Sequence, residues 1–452
     1  MPSLADIAVL ATRWAVREGA SEVETYIVSS KGYSATIRSN RVEGLEAIDE
    51  QGIGIRVAVG RKTGFAYSSS LEEHSIRRAI RQAIKQARAS PEDPYWQGLP
   101  SPSPSYPEPQ GIYSPGLAYM DPEALIEHLK EMVEKARSEK GAVLVAAGVE
   151  VEVVERVITN TNGVYRVDVG TRAEVAASVL ISREGIVTPS IYEVEVNRQV
   201  MPDSTVVVER ALEKAKLCLR KTRITEPKKT VVVFSPKTAS ELLSATLLAM
   251  LRGDMVVRGR SPFRDKLGAK VLDERLTIVD DGVLKAGYST WRFDGEGVAM
   301  KKKVLVEKGV LKGFVYDTYW ARRAGLEEST GNAVRQGYAS RPQPGYTNIV
   351  IDAGDAAPDE ILDGSEVYWI EYVQGAHTSN PETGEYSVLA NPAILYRGGE
   401  PAGWVQGLVV SGRIYDELAT RVEMVSRRVE NPYPSFYLPA IRLAGITVAP
   451  KH

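Results

Sequence analysis

The chain has few side chains that could bind a transition metal: the histidines His74, His128, His377 and His452, and one cysteine, Cys218. A zinc site needs three or four ligands, usually supplied by pairs at short spacing. No two of these histidines lie at such a spacing. Cys218 lies in a helical run among apolar residues, which indicates a buried structural thiol. The residues therefore predict no metal, no other cofactor and no intrachain disulfide.

His377 is the one histidine in a setting that suits ligand binding. It lies between Gly375 and the polar residues Thr378, Ser379 and Asn380, in a turn-rich loop after an apolar strand. These side chains could bind a peptide carboxylate or amide. The alternative is that they hydrogen-bond to the backbone and close the loop. A catalytic triad through Ser379 is not expected, because neighbouring loop residues rarely face one another and no Gly-x-Ser-x-Gly elbow is present here.

A second candidate site is the loop that carries Ser329, Thr330, Asn332 and Arg335. Backbone N–H groups, hydroxyls and a guanidinium could converge there as an anion-binding nest. A loop that only shapes a cleft explains the same residues equally well. The sequence leaves these two interpretations open.

Two acidic pairs, Asp280-Asp281 and Asp294/Glu296, could hold a cation. Both stand directly beside glycine, as turn residues do. The turn interpretation is favoured over a cation site.

Composition excludes several classes of protein. The 452 residues carry a net charge of −2, with 25% charged and 43% apolar residues. No strong positive field would attract nucleic acid or an anionic membrane. No apolar run approaches the roughly 18 residues that span a bilayer, and no signal peptide is recognised. A cytoplasmic protein that binds neither nucleic acid nor membrane is expected.

A helix is predicted over residues 236–253. Ser235 suits its N-cap, Pro236 its first position, and Gly253 the C′ position that follows its end. Apolar residues recur at helical spacing, which implies a buried face: Ala239, Leu242, Leu243, Leu247, Met250 and Leu251. The helix contains no histidine.

The predicted fold class is α+β, with an N-terminal α+β region over residues 1–227. Helices are expected near Ser3–Glu18, Ser70–Ala89 and Asp121–Lys140. Strands are expected over Glu22–Ser29, Tyr33–Ser39, Arg41–Asp49, Gly52–Gly60, Thr63–Ser68, Ala142–Asn160, Val164–Ser182 and Ser190–Val200. Eight prolines between residues 91 and 115 predict an extended connector, held where its aromatic residues dock.

Residues 228–452 are predicted to form a second domain. Strand-like runs alternate with tight turns there, for example before Gly282, Gly309 and Gly398. Such repeated hairpin signals indicate a mainly antiparallel sheet, barrel-like or a sandwich.

An ordered set of motifs over nearly the whole chain resembles the TldD/PmbA family, the modulators of DNA gyrase. The motifs are Gly52–Val57, Gly64–Tyr67, Arg258–Gly268, Leu276–Gly282, Asp294–Val298, Ser329–Asn332 and Gly375–Asn380. No single motif is specific, but their order is.

The resemblance implies which branch of the family this chain joins. In the TldD branch the helix matching residues 236–253 carries His-Glu-x-x-x-His, and a cysteine near the C-terminus completes a zinc site. Here the helix has no histidine, and the matching tail, residues 425–435, has no cysteine. The chain therefore resembles the PmbA/TldE branch, which lacks the metal motif.

The resemblance also implies a function. The chain is expected to be a non-catalytic subunit, inactive alone, that pairs with a TldD-like metallopeptidase chain and acts on unfolded or precursor peptides. The peptide would lie as an extended strand against a sheet in a closed chamber. In isolation the chain would form a homodimer. The alternatives are a self-sufficient hydrolase with a divergent site, and a regulatory peptide- or protein-binding protein of the gyrase-modulator type.

Overall fold

The computed structural model describes residues 2–39 and 41–451, and the fourth histidine, His452, lies outside them. The chain combines helices with two large sheets, so the fold class is α+β, as predicted. No helix in the described part of the chain is long and apolar enough to cross a membrane.

The first sheet takes its strands from the N-terminal half. Its described strands follow the order β3-β2-β1-β4-β5, and β6 and β7 both pair with β5. The strands are β1 (Glu22–Arg38), β2 (Arg41–Val59), β3 (Lys62–Ser68), β4 (Ala142–Asn160), β5 (Tyr165–Arg183), β6 (Ile186–Val187) and β7 (Ile191–Asn197). The strands predicted over Glu22–Ser29 and Tyr33–Ser39 are one continuous strand, β1, and those over Arg41–Asp49 and Gly52–Gly60 are one continuous strand, β2. These two long strands pair with each other along the whole length of β1.

Five helices of the described residues accompany this sheet: α1 (Leu4–Arg17), α2 (Glu73–Ala89), α3 (Pro115–Ala118), α4 (Pro122–Arg137) and α5 (Ser204–Leu217). Alternate strand residues such as Val23 and Ile27 are buried in a core with α1 and α2. Val149 and Val175 are buried in a second core with α4 and α5. Because side chains alternate across a strand, Glu24 and Tyr26 lie on the opposite face, which packs against the C-terminal half.

The proline-rich connector is docked on both halves. Residues 90–114, all of them described, contain no helix or strand. The Trp96 indole donates to Glu22 at 2.9 Å, and the Tyr106 hydroxyl donates to the Gly297 carbonyl at 2.8 Å. The Arg323 guanidinium lies over the Tyr95 ring at 3.9 Å. The aromatic residues therefore anchor this segment, as expected from the sequence.

The second sheet is formed mainly by the C-terminal half. Most of its neighbours are antiparallel, with parallel pairs β15–β23, β16–β9 and β20–β8. Its strands are β8 (Lys221–Thr222), β9 (Lys228–Phe234), β10 (Ile278–Asp281), β11 (Lys302–Glu307), β12 (Val310–Leu311), β15 (Ile349–Ile351), β16 (Val367–Ile370), β17 (Val373–Gln374), β18 (Glu385–Ala390), β19 (Ala393–Arg397), β20 (Glu400–Val405), β21 (Leu408–Arg413), β22 (Val422–Glu430) and β23 (Phe436–Pro450). The short strands β13 (Ala333–Val334) and β14 (Gln343–Pro344) pair separately. A domain boundary at residue 227 stays a prediction. The strand β8 comes before that residue, yet it pairs with β20 of the second sheet.

The C-terminal half holds α6 (Pro236–Leu243), α7 (Gly253–Val257), α8 (Thr318–Arg323) and α9 (Ile414–Thr420). Helix α6 continues into a π-helical turn, Ser244–Leu248, and packs with β23 inside a large apolar core. The prediction that Gly253 stands at C′ is wrong, since Gly253 begins α7. A Cβ on Gly253 would lie 2.0 Å from the Tyr316 ring, so close packing explains this glycine.

Cys218 directly follows α5 and has no exposed surface. It packs with Ile394 and Trp404. Burial and the nearby Glu371 carboxylate raise the pKa of its thiol to about 12, so it stays protonated and inert. The predicted buried structural thiol is confirmed.

Candidate functional site

The helix at residues 236–250 leaves only one narrow face open. Most of its residues are buried, whereas Glu241, Ala245 and Ala249 are half-buried and Ser244 is exposed. These four positions recur every three or four residues, so they share one side of the helix. This open face offers one carboxylate, one hydroxyl and two methyl groups.

The π-helical turn lies in the middle of this face. A π-helical turn interrupts the regular bonding of a helix and often occurs at functional sites. Hydroxyl groups satisfy the carbonyls around it, because Thr246 donates to the Leu242 carbonyl and Tyr346 donates to the Leu248 carbonyl. The widened turn is thus held in place by side chains, one of them from a distant segment.

A cavity of about 400 Å³ lies at the N-terminal end of this face. It lies where the first sheet meets the second, since its walls come from both. The lining residues include Ser190, Ile191, Tyr192, Lys237, Glu241, Glu371, Tyr372, Gln374, Asn391, Pro392 and Tyr433. Burial raises the pKa of Tyr192 to about 12, so this phenol stays neutral and able to donate a hydrogen bond.

Lys237 and Glu371 of this lining belong to a largely buried network that also contains Lys214 and Glu193. Lys237 lies 2.6 Å from Glu193, and Lys214 lies 2.8 Å from Glu193 and 2.5 Å from Glu371. The Trp369 indole donates to the second Glu371 oxygen at 2.8 Å. Burial alone would lower the pKa of Lys214, but Glu371 and Glu193 raise it. The pKa of Glu371 is lowered in turn by Lys214 and Lys237, so the ion pair between Lys214 and Glu371 is favoured.

Glu241 is the carboxylate in this cavity that remains available for a ligand. Burial raises the pKa of Glu241, and the nearby His377 opposes that shift. No hydrogen-bond partner of its side chain is seen among the described residues. A carboxyl group with a raised pKa can accept a hydrogen bond from a peptide N–H, or donate one to a carbonyl when protonated.

The predicted loop at residues 375–380 packs beside the helix, in a short turn over Ala376–Thr378. Thr378 donates to the Gly375 carbonyl at 2.7 Å, and Asn380 accepts from the N–H of Glu382 at 3.0 Å. His377 is exposed, and the buried Ser379 hydroxyl has no partner among the described residues. Thr378 and Asn380 thus close the loop, whereas ligand binding by His377 and Ser379 stays a prediction.

The other predicted loop lies elsewhere, between the two sheets. The Ser329 hydroxyl donates to the Tyr316 carbonyl at 3.0 Å, and Thr330 donates to Asn332 at 2.8 Å. Asn332 is fully buried and donates to Asp280 at 2.6 Å. Arg335 is bonded to Glu24 in the first sheet and donates to the Gly295 carbonyl at 2.7 Å.

These contacts favour the interpretation that the loop shapes the molecule. Its polar groups already have internal partners, and it joins the two sheets. Arg335 lines a cavity different from the one that contains Glu241. The structure therefore does not bring the two predicted loops into one pocket, and anion binding at Ser329–Arg335 stays a prediction.

The acidic pairs have internal partners as well. Asp280 and Asp281 are the last residues of β10, and Lys303 lies 3.0 Å from Asp280. Asp281 accepts from the Val283 N–H at 3.0 Å and so organises the turn at Gly282, as predicted, whereas the Asp280 side chain pairs within the core. Asp294 does organise a turn, and Glu296 is paired with Arg56 at 2.8 Å. Among residues 2–39 and 41–451, no three His, Cys, Asp or Glu side chains form a group that could hold a metal ion.

The sequence reasoning missed the lysine–glutamate network. One signal was available, because Glu371 is a lone charge in the otherwise apolar run Val367–Val373. A charge at such a position is buried only with a partner. The partner could not be identified, since Lys214 and Lys237 are remote in sequence.

Comparison with known proteins identifies the family. The profile of the PmbA/TldA metallopeptidase C-terminal domain matches residues 227–450, and those of domain 1 and the central domain match residues 23–87 and 115–219. An uncharacterised protein of Methanocaldococcus jannaschii is 33% identical over 379 residues, which cover 84% of this chain and 86% of that protein. The chain belongs to the PmbA/TldD metallopeptidase family.

Relatives in both branches of the PmbA/TldD family are similar to this chain. A metalloprotease TldD homolog of Haemophilus influenzae is 25% identical, over 84% of this chain and 80% of its own length. A metalloprotease PmbA homolog of the same organism is 24% identical, over 72% and 71%. The crystal structure of TldE from Thermococcus kodakarensis superposes with a TM-score of 0.89 and 28% identity, over 98% of this chain and 100% of that one.

Proposed function

We propose that this chain is a non-catalytic, peptide-binding subunit that pairs with a TldD-like metallopeptidase chain. The observation that carries the proposal is the open face of the helix at residues 236–250. That face presents Glu241, Ser244, Ala245 and Ala249, which supply one carboxylate and one hydroxyl but neither imidazole nor thiolate. Zinc catalysis in a peptidase needs three protein ligands, usually histidines with a cysteine or carboxylate.

Peptide binding is supported by the edge strand beside the cavity. The only described strand that pairs with β7 is β5, so β7 ends the first sheet on that side. Ile191 and Tyr192 of β7 line the cavity of about 400 Å³, and residues 193–197 line an adjoining cavity of about 600 Å³. An extended peptide could add to this edge through its backbone, which requires no particular sequence.

The partner supplies what this chain lacks. A stable subunit interface typically buries upwards of about 2,000 Å² in total. Without its partner the same surface could pair with a second copy by two-fold symmetry. Light scattering of the pure chain, followed by titration with a TldD-like chain, tests the pairing. The expected result is a complex that cleaves unfolded peptides and loses activity with a chelator.

Two results would overturn the subunit role. One is a strictly monomeric chain that ignores the partner. The other is a chain that alone holds about one zinc and cleaves peptides, since that would make it a self-sufficient hydrolase.

The peptide site is tested by fluorescence anisotropy with a labelled unfolded peptide. Tyr372→Ala and Tyr433→Ala should weaken binding, because both rings line the cavity. Tyr119→Ala is the matched control, since Tyr119 is 83% exposed and remote from the lining. Two versions of the peptide, N-methylated at its odd or at its even residues, should differ in affinity. Only one version keeps the alternate N–H groups that pair with an edge strand. Equal binding of both N-methylated registers would argue against strand addition.

A further inference from the structure

Three arginines surround one tryptophan where the first sheet meets the C-terminal half. The guanidinium carbons of Arg198, Arg156 and Arg172 lie 4.6, 4.8 and 5.6 Å from the centre of the Trp291 ring. Trp291 is only 3% exposed. Stacking on an aromatic face is favourable for each cation, but three cations in one place repel one another.

Two of these arginines, Arg156 and Arg198, have no carboxylate partner among the described residues, whereas Arg172 lies 3.4 Å from Glu152. Arg156 is 8% exposed, and its only described hydrogen bond runs from Nε to the Tyr26 hydroxyl at 3.0 Å. Arg198 is fully buried and donates to backbone carbonyls only, which leaves one terminal nitrogen without a described partner. Burial above all, together with the neighbouring Arg172, lowers the pKa of Arg198 to about 9.

The nearby acids fill this gap only in part. Asp168 is paired with Arg292 at 3.0 Å, and Glu152 pairs with Arg172 at 3.4 Å but with neither Arg156 nor Arg198. The Arg172 Nε has no partner among the described residues. An unpaired buried charge costs free energy, so stability alone does not explain Arg156 and Arg198.

A cavity of about 330 Å³ opens beside this cluster. Arg156 and Arg172 form its cationic wall, and Trp291, Val28 and Met300 form an apolar wall. None of the described lining residues is Asp or Glu. The third lining arginine, Arg335, is already paired with Glu24. The cavity is therefore shaped for a small anion that also has an apolar part.

We propose that this cavity binds a small carboxylate ligand, with its carboxylate on Arg156 and Arg172 and its apolar body against Trp291. The planar guanidinium fork matches the geometry of a carboxylate. Either a free carboxylic acid or the C-terminal residue of a peptide carries such a group. The site shares no lining residue with the cavity at Glu241, and the proposal does not depend on the subunit role.

Isothermal titration of the isolated full chain tests the site with defined probes. N-acetyl-phenylalanine should bind one to one. Its amide should bind roughly 10- to 100-fold more weakly, since a charged hydrogen-bonded pair is lost. Equal binding of acid and amide would overturn the proposal, as would equal binding of inorganic phosphate. A pentapeptide ending in free phenylalanine distinguishes the sources: its binding assigns a peptide C-terminus, and its exclusion assigns a free acid.

Substitutions separate a binding role from a purely structural one. Arg156→Met and Arg172→Met should each abolish binding of the acid, and Arg156→Met should melt no lower than the parent, because it removes an unpaired buried charge. The control is Arg77→Met, since Arg77 also stacks on a tryptophan, Trp14 at 4.2 Å, but far from the cavity. If Arg156→Met and Arg172→Met both lower the melting temperature and the parent binds no probe, the arginines serve only the fold.

Discussion

Asp294 is a buried carboxyl group that organises the backbone around it. It accepts hydrogen bonds from the N–H groups of Glu296 at 2.9 Å, Val298 at 3.0 Å and Ala333 at 2.9 Å, and so shapes the turn that follows it. Burial and, to a lesser extent, the Glu296 carboxylate raise its pKa to about 7, although the three N–H donors oppose the shift. The group therefore titrates near neutrality.

This raised pKa predicts a pH dependence of stability. Between its ordinary pKa of 3.8 and about 7, folded Asp294 keeps a proton that the unfolded chain has released. The free energy of unfolding should therefore fall as pH rises through that range, by at most about 4 kcal/mol from this group, and level off above it. Denaturant unfolding at several pH values measures the effect.

Asp294→Asn is the comparison for this prediction. The amide should lower stability at every pH, because its NH₂ group would face the Ala333 N–H, but it cannot titrate. Its stability should fall less steeply between pH 4 and 7 than that of the parent. Identical slopes in the two proteins would show that Asp294 is ionised throughout.

At the scale of elements, strand β2 shows why particular glycines are needed. A Cβ on Gly54 would lie 2.2 Å from the Tyr338 carbonyl oxygen, and one on Gly52 would lie 2.4 Å from the Tyr338 ring. The segment around Tyr338 thus rests directly on the sheet. This contact is one of those that dock the C-terminal half on the N-terminal half.

Gly54→Ala should therefore destabilise the protein by about 1–3 kcal/mol, because the backbone at Tyr338 would have to move. Gly44→Ala on the same strand is the matched control, since no described atom outside its neighbours lies within 4 Å of a Cβ there. Gly44→Ala should be neutral or slightly stabilising. Thermal unfolding of the two variants decides the matter, and equal melting temperatures would count against the close contact.

The sequence predicted elements better than it predicted their neighbours. The strands predicted over Gly52–Gly60 and Thr63–Ser68 are confirmed, and they pair with each other in antiparallel fashion. Period-two alternation and turn residues are local signals, so they can be read directly. That β1 pairs with β4, more than a hundred residues later, depends on which faces fit together, and no local pattern contains that information.

The candidate site follows the same division. The buried helix at residues 236–250 and its lack of histidine could be read from the sequence. Its π-helical turn could not, because it depends on the hydroxyl of the distant Tyr346. The position of Arg335 could not be read from the sequence either, because its guanidinium pairs with Glu24 in the first sheet.

At the scale of the whole molecule, two buried ionic networks join the halves. In one, Lys237 and Glu371 of the C-terminal half meet Glu193 and Lys214 of the N-terminal half. In the other, Arg56 and Glu24 meet Glu296 and Arg335. Each network contains two basic and two acidic side chains. Removing any one of them would leave a buried charge without its partner, which costs stability.

Lys237→Met should cost about 3–5 kcal/mol of unfolding free energy, because it leaves buried carboxylates short of a cation. Adding Glu193→Gln should recover part of that loss, and a double-mutant cycle measures the coupling. Lys130→Met is the control, since Lys130 pairs with Glu127 at the surface and should cost less than about 1 kcal/mol. Additive effects of Lys237→Met and Glu193→Gln would contradict the network.

The position of β1 has a consequence for how the protein is made. β1 lies between β2 and β4, and β4 begins only at residue 142. During synthesis, the edge of β1 that pairs with β4 therefore stays unpaired until the proline-rich connector and α4 have been made. The two N-terminal family matches, which end at residues 87 and 219, therefore contribute strands to one and the same sheet. Such an exposed edge during synthesis is where a nascent chain is most open to mispairing with its neighbours.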